Sequence, residues 1–266
     1  GLSTLGDFFT TARPHLFIDV GTNGEMALST GRTRVMTSTA AGPAFEGAGL
    51  SCGMRAAQGA IERVSTDGED VVVEVIGECS EPRGICGSGL IDLLEVLVAI
   101  GVVDPSGRML KPGEAEGLPA RVAERLALRD GKPAFVVAGD VLVTQSDVRQ
   151  LQLAKAAIRA GIECLLQEGG MTAAELETIS IAGGFGRSLR PKSLQAIGMV
   201  PPGTGSRLSF VGNTSRLGCI RLLLDVDRRD ELEECMGSVA YLAVAEQPVF
   251  MDQFVGSIPF PEPLPS

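Results

Sequence analysis

The run Asp19-Val20-Gly21-Thr22-Asn23-Gly24-Glu25 puts a carboxylate near the end of an apolar strand and follows it with a turn of small residues. Glycines there let backbone N–H groups approach phosphate oxygens, and Thr22 and Asn23 add side-chain donors. A carboxylate at the mouth of such a turn, Asp19, can hold magnesium through its waters or orient an attacking water. The competing reading is an ordinary type I′ hairpin with a solvated Asp. Asp19 lies inside the hydrophobic run, ahead of the turn, and that position favours chemistry.

Three further glycine clusters share this character. Ala182-Gly183-Gly184-Phe185-Gly186 follows a buried-type strand. Ligands of α/β proteins sit outside the carboxyl ends of strands, where bare backbone can receive a flat group such as adenine or ribose. Gly84-Ile85-Cys86-Gly87-Ser88-Gly89 opens an apolar helix. A glycine-preceded helix N-terminus binds anions, and close packing is the competing and favoured reading. It is no Walker loop, because Gly-Lys-Ser/Thr is missing. In Gly212-Asn213-Thr214-Ser215, Asn213 or Thr214 is a good N-cap. His15 reads as structural, and a lone His offers no Ser-His-Asp triad. Arg149, Gln152 and Lys155, three apart, read as the solvated face of a helix, with the edge of a nucleotide cleft as the alternative.

These clusters need elements to hold them. Residues 16–20, 25–30 and 33–39 read as strands, the last two linked through Gly31-Arg32. A helix is expected from about Met54 to Val64, a strand at 71–76 and a helix from Leu90 to about Ile100. Residues 104–133 look like a surface excursion with one helix at 119–128. Strands follow at 134–138 and 141–143. The clearest helix runs from about Ser146 to Gln167, opened by a Thr144/Asp147 capping box. Strands at 178–182 and 208–211 precede a helix with Leu217, Ile220 and Leu224 on one face. The tail from Pro259 reads as extended. Alternating strands and helices imply an α/β fold with a mixed sheet.

Composition excludes several functions. The 266 residues are 44% hydrophobic, which rules out a disordered chain. A net charge of −10 argues against a nucleic-acid binder and a polybasic membrane patch. With ten Phe, one Tyr and no Trp, no base-stacking platform is expected. The longest apolar stretch, 93–103, contains Glu95 and is too short to span a bilayer. Cys52, Cys79, Cys86, Cys164, Cys219 and Cys235 include no CxxC pair, so neither zinc nor an iron–sulfur cluster is expected within this stretch. Free thiols and no secretory signal suit a reduced, cytoplasmic setting. A first residue Gly1 in place of Met suggests a tag remnant or a piece of a longer protein.

Taken in order, the clusters resemble one family. FIDVGTNGEMAL (17–28), STAAGPAFEGAGLSCGMRAAQGAI (38–61), GICGSGLIDLL (84–94), TQSDVRQLQLAKAAIRAGI (144–162), IAGGFG (181–186), IGMVPP (197–202) and VGNTSRLG (211–218) are similar to the C-terminal ATPase region of the reductive activators of corrinoid proteins. These belong to the acetate and sugar kinase, heat-shock chaperone and actin superfamily. The resemblance implies a ribonuclease-H-like, actin-like lobe with a mixed sheet flanked by helices. It implies a lobe over 16–258, a leader at 1–15 and a Pro-rich tail at 259–266. Asp19 would serve the metal or the attacking water. Gly21, Thr22, Asn23 and Gly24 would hold the terminal phosphates as the second phosphate loop. Gly183, Gly184, Phe185 and Gly186 would lie under the adenosine, and Asn213 would also face the nucleotide. Glu46 in GPAFEG is an acid–base or switch candidate, or else a turn carboxylate.

The resemblance further implies ATP and Mg2+ as ligands. The first phosphate loop and a [2Fe-2S] domain would lie upstream of this stretch. The family's activity is an ATP-driven reduction of inactive Co(II) corrinoid to Co(I), with a corrinoid protein or corrinoid-dependent methyltransferase as partner and a homodimer as the assembly. Beside a small-molecule kinase, which would need both lobes and a substrate base not evident in this sequence, two alternatives stand. One is the related activator of 2-hydroxyacyl-CoA dehydratases, whose bridging cluster needs cysteines not evident here. The other is a binding or dimerisation lobe without activity of its own.

Overall fold

A computed structural model describes residues 8–78, 81–184 and 189–262. Its main sheet starts with three antiparallel strands, β1 (His15–Val20), β2 (Gly24–Ser29) and β3 (Arg34–Thr39). Two later strands, β10 (Thr178–Gly183) and β11 (Leu208–Gly212), continue it in parallel beyond β1. A two-residue strand, β12 (Ala240–Tyr241), closes the other edge beside β3. The order is β11-β10-β1-β2-β3-β12, a mixed sheet in an α/β fold.

Strand alternation gives the sheet two apolar faces. Leu16, Ile18, Met26, Leu28, Ile179 and Ile181 point into the large core with Ile158, Ile162 and Leu165 of the long helix α3 (Gln145–Glu168). Helix and sheet touch closely at Gly161, where a Cβ would sit 2.3 Å from the Met26 terminal methyl. Phe17, Ala27 and Ala182 point the other way and are covered by Phe8. The Thr144/Asp147 capping box opens α3 as the sequence indicates.

The second half of the core surrounds helix α1 (Gly87–Ala99), buried from Gly87 to Val98. It packs on β4 (Ala60–Thr66), which pairs with β5 (Val71–Val75) and with the two-residue β6 (Gly84–Ile85). A third sheet holds β7 (Leu126–Arg129), β8 (Lys132–Ala138) and β9 (Val141–Thr144). The short helices are α2 (Ala120–Ala123) and α4 (Pro191–Ala196). The last three are α5 (Thr214–Leu224), α6 (Asp227–Gly237) and α7 (Pro248–Gly256).

Several expectations are corrected. The helix expected over Met54–Val64 is an irregular segment followed by β4. Gly59, at φ +87°, ends that segment, and a bulge between Ile61 and Arg63 shifts the register. Ile61 and Val64 are thereby both buried although three apart, which imitates a helical period. The helix expected at 119–128 stops at Ala123 and gives way to β7. The excursion at 104–133 is anchored, since Met109, Val122 and Leu126 are buried.

The polar stripe on α3 is no solvated face: Arg149 is exposed, but Gln152 and Lys155 are each only 1% exposed. The chain's end covers them. Gln152 donates to the carbonyls of Ser106 and Ile258, and Lys155 to that of Pro259. Phe260 is buried there, its N–H bonded to Pro105. Conversely, Leu217, Ile220 and Leu224 share a face of α5 but are exposed.

Candidate nucleotide site

Three adjacent strands bring the glycine clusters together. Asp19 of β1 pairs in register with Ala182 of β10, and Ala182 with Gly212 of β11. All three strands run in the same direction, so their carboxyl ends emerge at one edge. That edge is where open α/β sheets take ligands.

The turn after β1 is held from both sides. The Gly21 amide donates to Asn23 O at 2.9 Å, and the Gly42 amide to Thr22 O at 2.8 Å. Thr22 Oγ1 donates to Glu46 Oε2 at 2.9 Å. Glu46 ends a short 3-10 turn, Pro43–Glu46, and is exposed beside the turn. Gly24 differs from its neighbours. It is the buried first residue of β2, where a Cβ would press at 3.1 Å on Ile158 and on Thr39, so packing accounts for it.

Asp19 is half-buried, and its Oδ2 accepts a 2.6 Å hydrogen bond from Ser215 Oγ. Ser215 lies in the first turn of α5, whose N-cap is Asn213. Asn213 Oδ1 accepts from the Arg216 amide at 2.9 Å. Gly212, at φ +72°, provides the left-handed turn that leads into this cap. The first and fourth clusters are therefore joined through one carboxylate and one hydroxyl.

A cavity of about 400 Å³ opens between these elements, lined by Phe45, Glu46, Arg55, Ala56, Cys86, Gly87, Ser88, Gly184 and Asn213. It is within the range of small-molecule sites. Gly184 faces open space, with nothing within 4 Å of where a Cβ would be. Phe185 and Gly186 lie outside the described residues. The third cluster divides its work. Gly89 is packing, since a Cβ there would meet Ile61 O at 2.3 Å, whereas Gly87 and Ser88 line the cavity. The starts of α1 and α5 thus both contribute residues to one cavity, and helix N-termini carry partial positive charge.

A buried cluster fixes α1. Asp92, 1% exposed, is ion-paired to Arg190 at 2.7 Å, and Ser193 Oγ donates to Asp92 Oδ1 at 2.7 Å. Glu95, one turn on, lies 2.6 Å from the same Ser193 Oγ and 2.8 Å from Lys192. Arg190 also donates to Val64 O at 2.6 Å, which ties in β4. Arg190 is the N-cap of α4, reached soon after the Gly183-Gly184 turn. The clamp thus ties α4 and β4 to the middle of α1.

The structure brings Glu46, Gly184 and Asn213 to one cavity, with Thr22 bonded to Glu46 and Asp19 to Ser215 beside it. Ser215, Arg55 and the Asp92–Arg190 clamp were missed as site elements. Two acidic residues in an otherwise apolar helix were the available signal for the clamp. Groups of three or more His, Cys, Asp or Glu with metal-site geometry do not occur among the described residues. Among the same residues, no helix is long and apolar enough to cross a membrane.

A family model described as the C-terminal domain of RACo, the ASKHA domain, matches residues 13–264. The corrinoid activation enzyme RamQ of Eubacterium limosum is 35% identical over 250 residues, covering 90% of this chain and 42% of that protein. The [Co(II) methylated amine-specific corrinoid protein] reductase of Methanosarcina barkeri is 30% identical over 244 residues, covering 86% of this chain and 42% of that protein. The solved structure of a reductive activator for a corrinoid, iron–sulfur protein superposes with a TM-score of 0.87 at 36% identity, over 96% of this chain and 41% of that one. The chain thus spans less than half the length of these relatives.

Proposed function

The chain belongs to the C-terminal ASKHA-domain family of the corrinoid reductive activators, and from that premise we propose that it is the ATP-binding C-terminal lobe of such an activator. The whole protein would use ATP to drive one electron onto an inactive Co(II) corrinoid and return it to Co(I). The observation that carries the nucleotide reading is a cavity lined by Gly184 after β10, Asn213 after β11 and two helix starts, with the β1 turn bonded to its wall through Thr22 and Glu46. Electrons would come from a [2Fe-2S] domain upstream of this stretch, and the substrate would be the cobalt of a corrinoid protein or corrinoid-dependent methyltransferase.

In this reading Gly21, Thr22 and Asn23 of the turn face the terminal phosphates, and Gly24 seats the turn by packing on Ile158 and Thr39. Gly183 and Gly184, with Phe185 and Gly186, carry the adenosine, and Asn213 borders it. Asp19 holds the attacking water or the hydrated metal, with Ser215 fixing its rotamer. Glu46 reports on the turn through Thr22 and is the switch or acid–base residue. A single carboxylate at a strand end fits a Mg2+ that arrives on the nucleotide and keeps most of its waters. Bound there, Mg2+ supplies neutralisation of phosphate charge.

Coupling requires that the corrinoid partner bind the nucleotide states differently, so it must touch a surface that moves with lobe closure. A homodimer belongs to the same reading, supported by the exposed apolar residues of α5. A reduced, cytoplasmic setting fits the five described cysteines, all free thiols.

The test is Asp19→Ala in the intact protein, with ATP hydrolysis and the Co(II)-to-Co(I) absorbance change read together. Both rates are expected to fall by about two orders of magnitude or more. An unchanged hydrolysis rate would remove Asp19 from the mechanism, and the absence of ATP hydrolysis by the unaltered protein would remove the ATPase reading.

A further inference from the structure

Arg55 lies in the wall of the cavity and has no role among the glycine clusters. Its place is set by backbone packing. The segment between the Pro43–Glu46 turn and β4 doubles back on itself. A Cβ on Gly53 would sit 2.1 Å from Gly47 O, and one on Gly47 would sit 2.3 Å from Met54 O. The two arms are thus in direct backbone contact, which brings Glu46 and Arg55 into one wall although they are far apart along the loop. The returning arm is also hydrogen-bonded to β6, Met54 N to Ile85 O at 3.0 Å and Ile85 N to Cys52 O at 2.9 Å. That fixes Arg55 beside the start of α1.

The two charged side chains of the wall are engaged differently. Glu46 already accepts from Thr22, whereas Arg55 makes no ion pair with any described residue. An unpaired guanidinium thus shares a cavity with the starts of two helices, three sources of positive potential in one place. With Glu46 the one carboxylate in the lining, such an arrangement favours an anion with several oxygens. A guanidinium matches phosphate oxygens in a bidentate manner.

We propose that Arg55 contacts the phosphate chain of the bound nucleotide and gives the lobe its preference for nucleoside polyphosphates over the bare nucleoside. The inference rests on the nucleotide reading above. Its test is isothermal titration of the intact protein and its Arg55→Ala, Arg55→Gln and Arg55→Lys variants with MgATP, MgADP and adenosine. Arg55 is exposed, so the variants should melt with the unaltered protein. Arg55→Ala and Arg55→Gln should weaken MgATP and MgADP by about tenfold or more, with adenosine within about twofold, and Arg55→Lys should recover part of the loss.

Unaltered MgATP affinity in Arg55→Ala would overturn the inference and leave the nucleotide reading standing. Equal weakening of adenosine would overturn it too, because the contact would then lie away from the phosphates. Failure of the unaltered protein to bind MgATP would overturn both.

Discussion

Helices α3 and α5 present opposite inversions of the same rule. On α3 a polar stripe, Gln152 and Lys155, is buried; on α5 an apolar stripe, Leu217, Ile220 and Leu224, is exposed. The difference lies outside both helices. Residues 258–261 run along α3 and supply carbonyl acceptors, so polar side chains can be buried there with their hydrogen bonds kept. Among the described residues nothing comparable reaches α5, which buries only Thr214 and Gly218. Helical periodicity reports which residues share a face, and only the partner decides whether that face is inside.

The largest effect should come from removing the cover of α3. Phe260 is 3% exposed and lies near the Lys155 ammonium, 5.3 Å from Nζ to ring centroid. Phe260→Ala should cost about 3 kcal/mol by truncating a buried aromatic. Denaturant unfolding would show it as a lower midpoint. A change below about 1 kcal/mol would mean that the tail does not seal the helix.

The second test uses pH. Burial, helped by the nearby Arg159 charge, lowers the Lys155 pKa from 10.5 to about 7. The folded state therefore binds fewer protons than the unfolded chain between these two values, and stability rises with pH in that window. Below about 7 both states hold the proton, and this contribution is flat at its least favourable level. From about pH 7 to 8.5 stability should rise, with a slope of at most about 1.4 kcal/mol per unit. Lys155→Met should flatten that slope, and an unchanged slope would show that Lys155 is not its source.

These inversions mark the limit of what was legible. The β1 turn, the β2–β3 hairpin and α3 with its capping box were readable because their determinants are local. The fold family was readable because the motif order is specific. β4 was missed because its bulge imitates a helical spacing. Ser215 was unassigned because its acceptor, Asp19, lies 196 residues away and meets it only through the parallel pairing of β1, β10 and β11. Arg55 was missed for the same kind of reason, since the close approach of Gly47 and Gly53 places it.

A smaller effect is expected from Gln152→Ala. It leaves the Ser106 and Ile258 carbonyls without their shared donor, at about 1 kcal/mol. Thermal melts of this variant beside Phe260→Ala would separate the hydrogen-bonded part of the seal from its apolar part. If Gln152→Ala cost as much as Phe260→Ala, polar contacts would dominate the strap.

The smallest stability effect belongs to α5. Leu223 and Leu224 are 74% and 82% exposed, so Leu223→Ser with Leu224→Ser removes little that folding has buried. The double variant should stay within about 0.5 kcal/mol of the unaltered chain. Its consequence should instead be concentration-dependent. An apolar stripe that nothing in the described chain covers is a surface for association, so light scattering should show a lower average mass for the variant if the proposed homodimer forms through α5. A loss of more than about 2 kcal/mol in the monomer would mean that the stripe is packed in the folded chain and that its contrast with α3 is false. Unchanged mass and unchanged stability would leave the contrast intact and remove α5 from the proposed association.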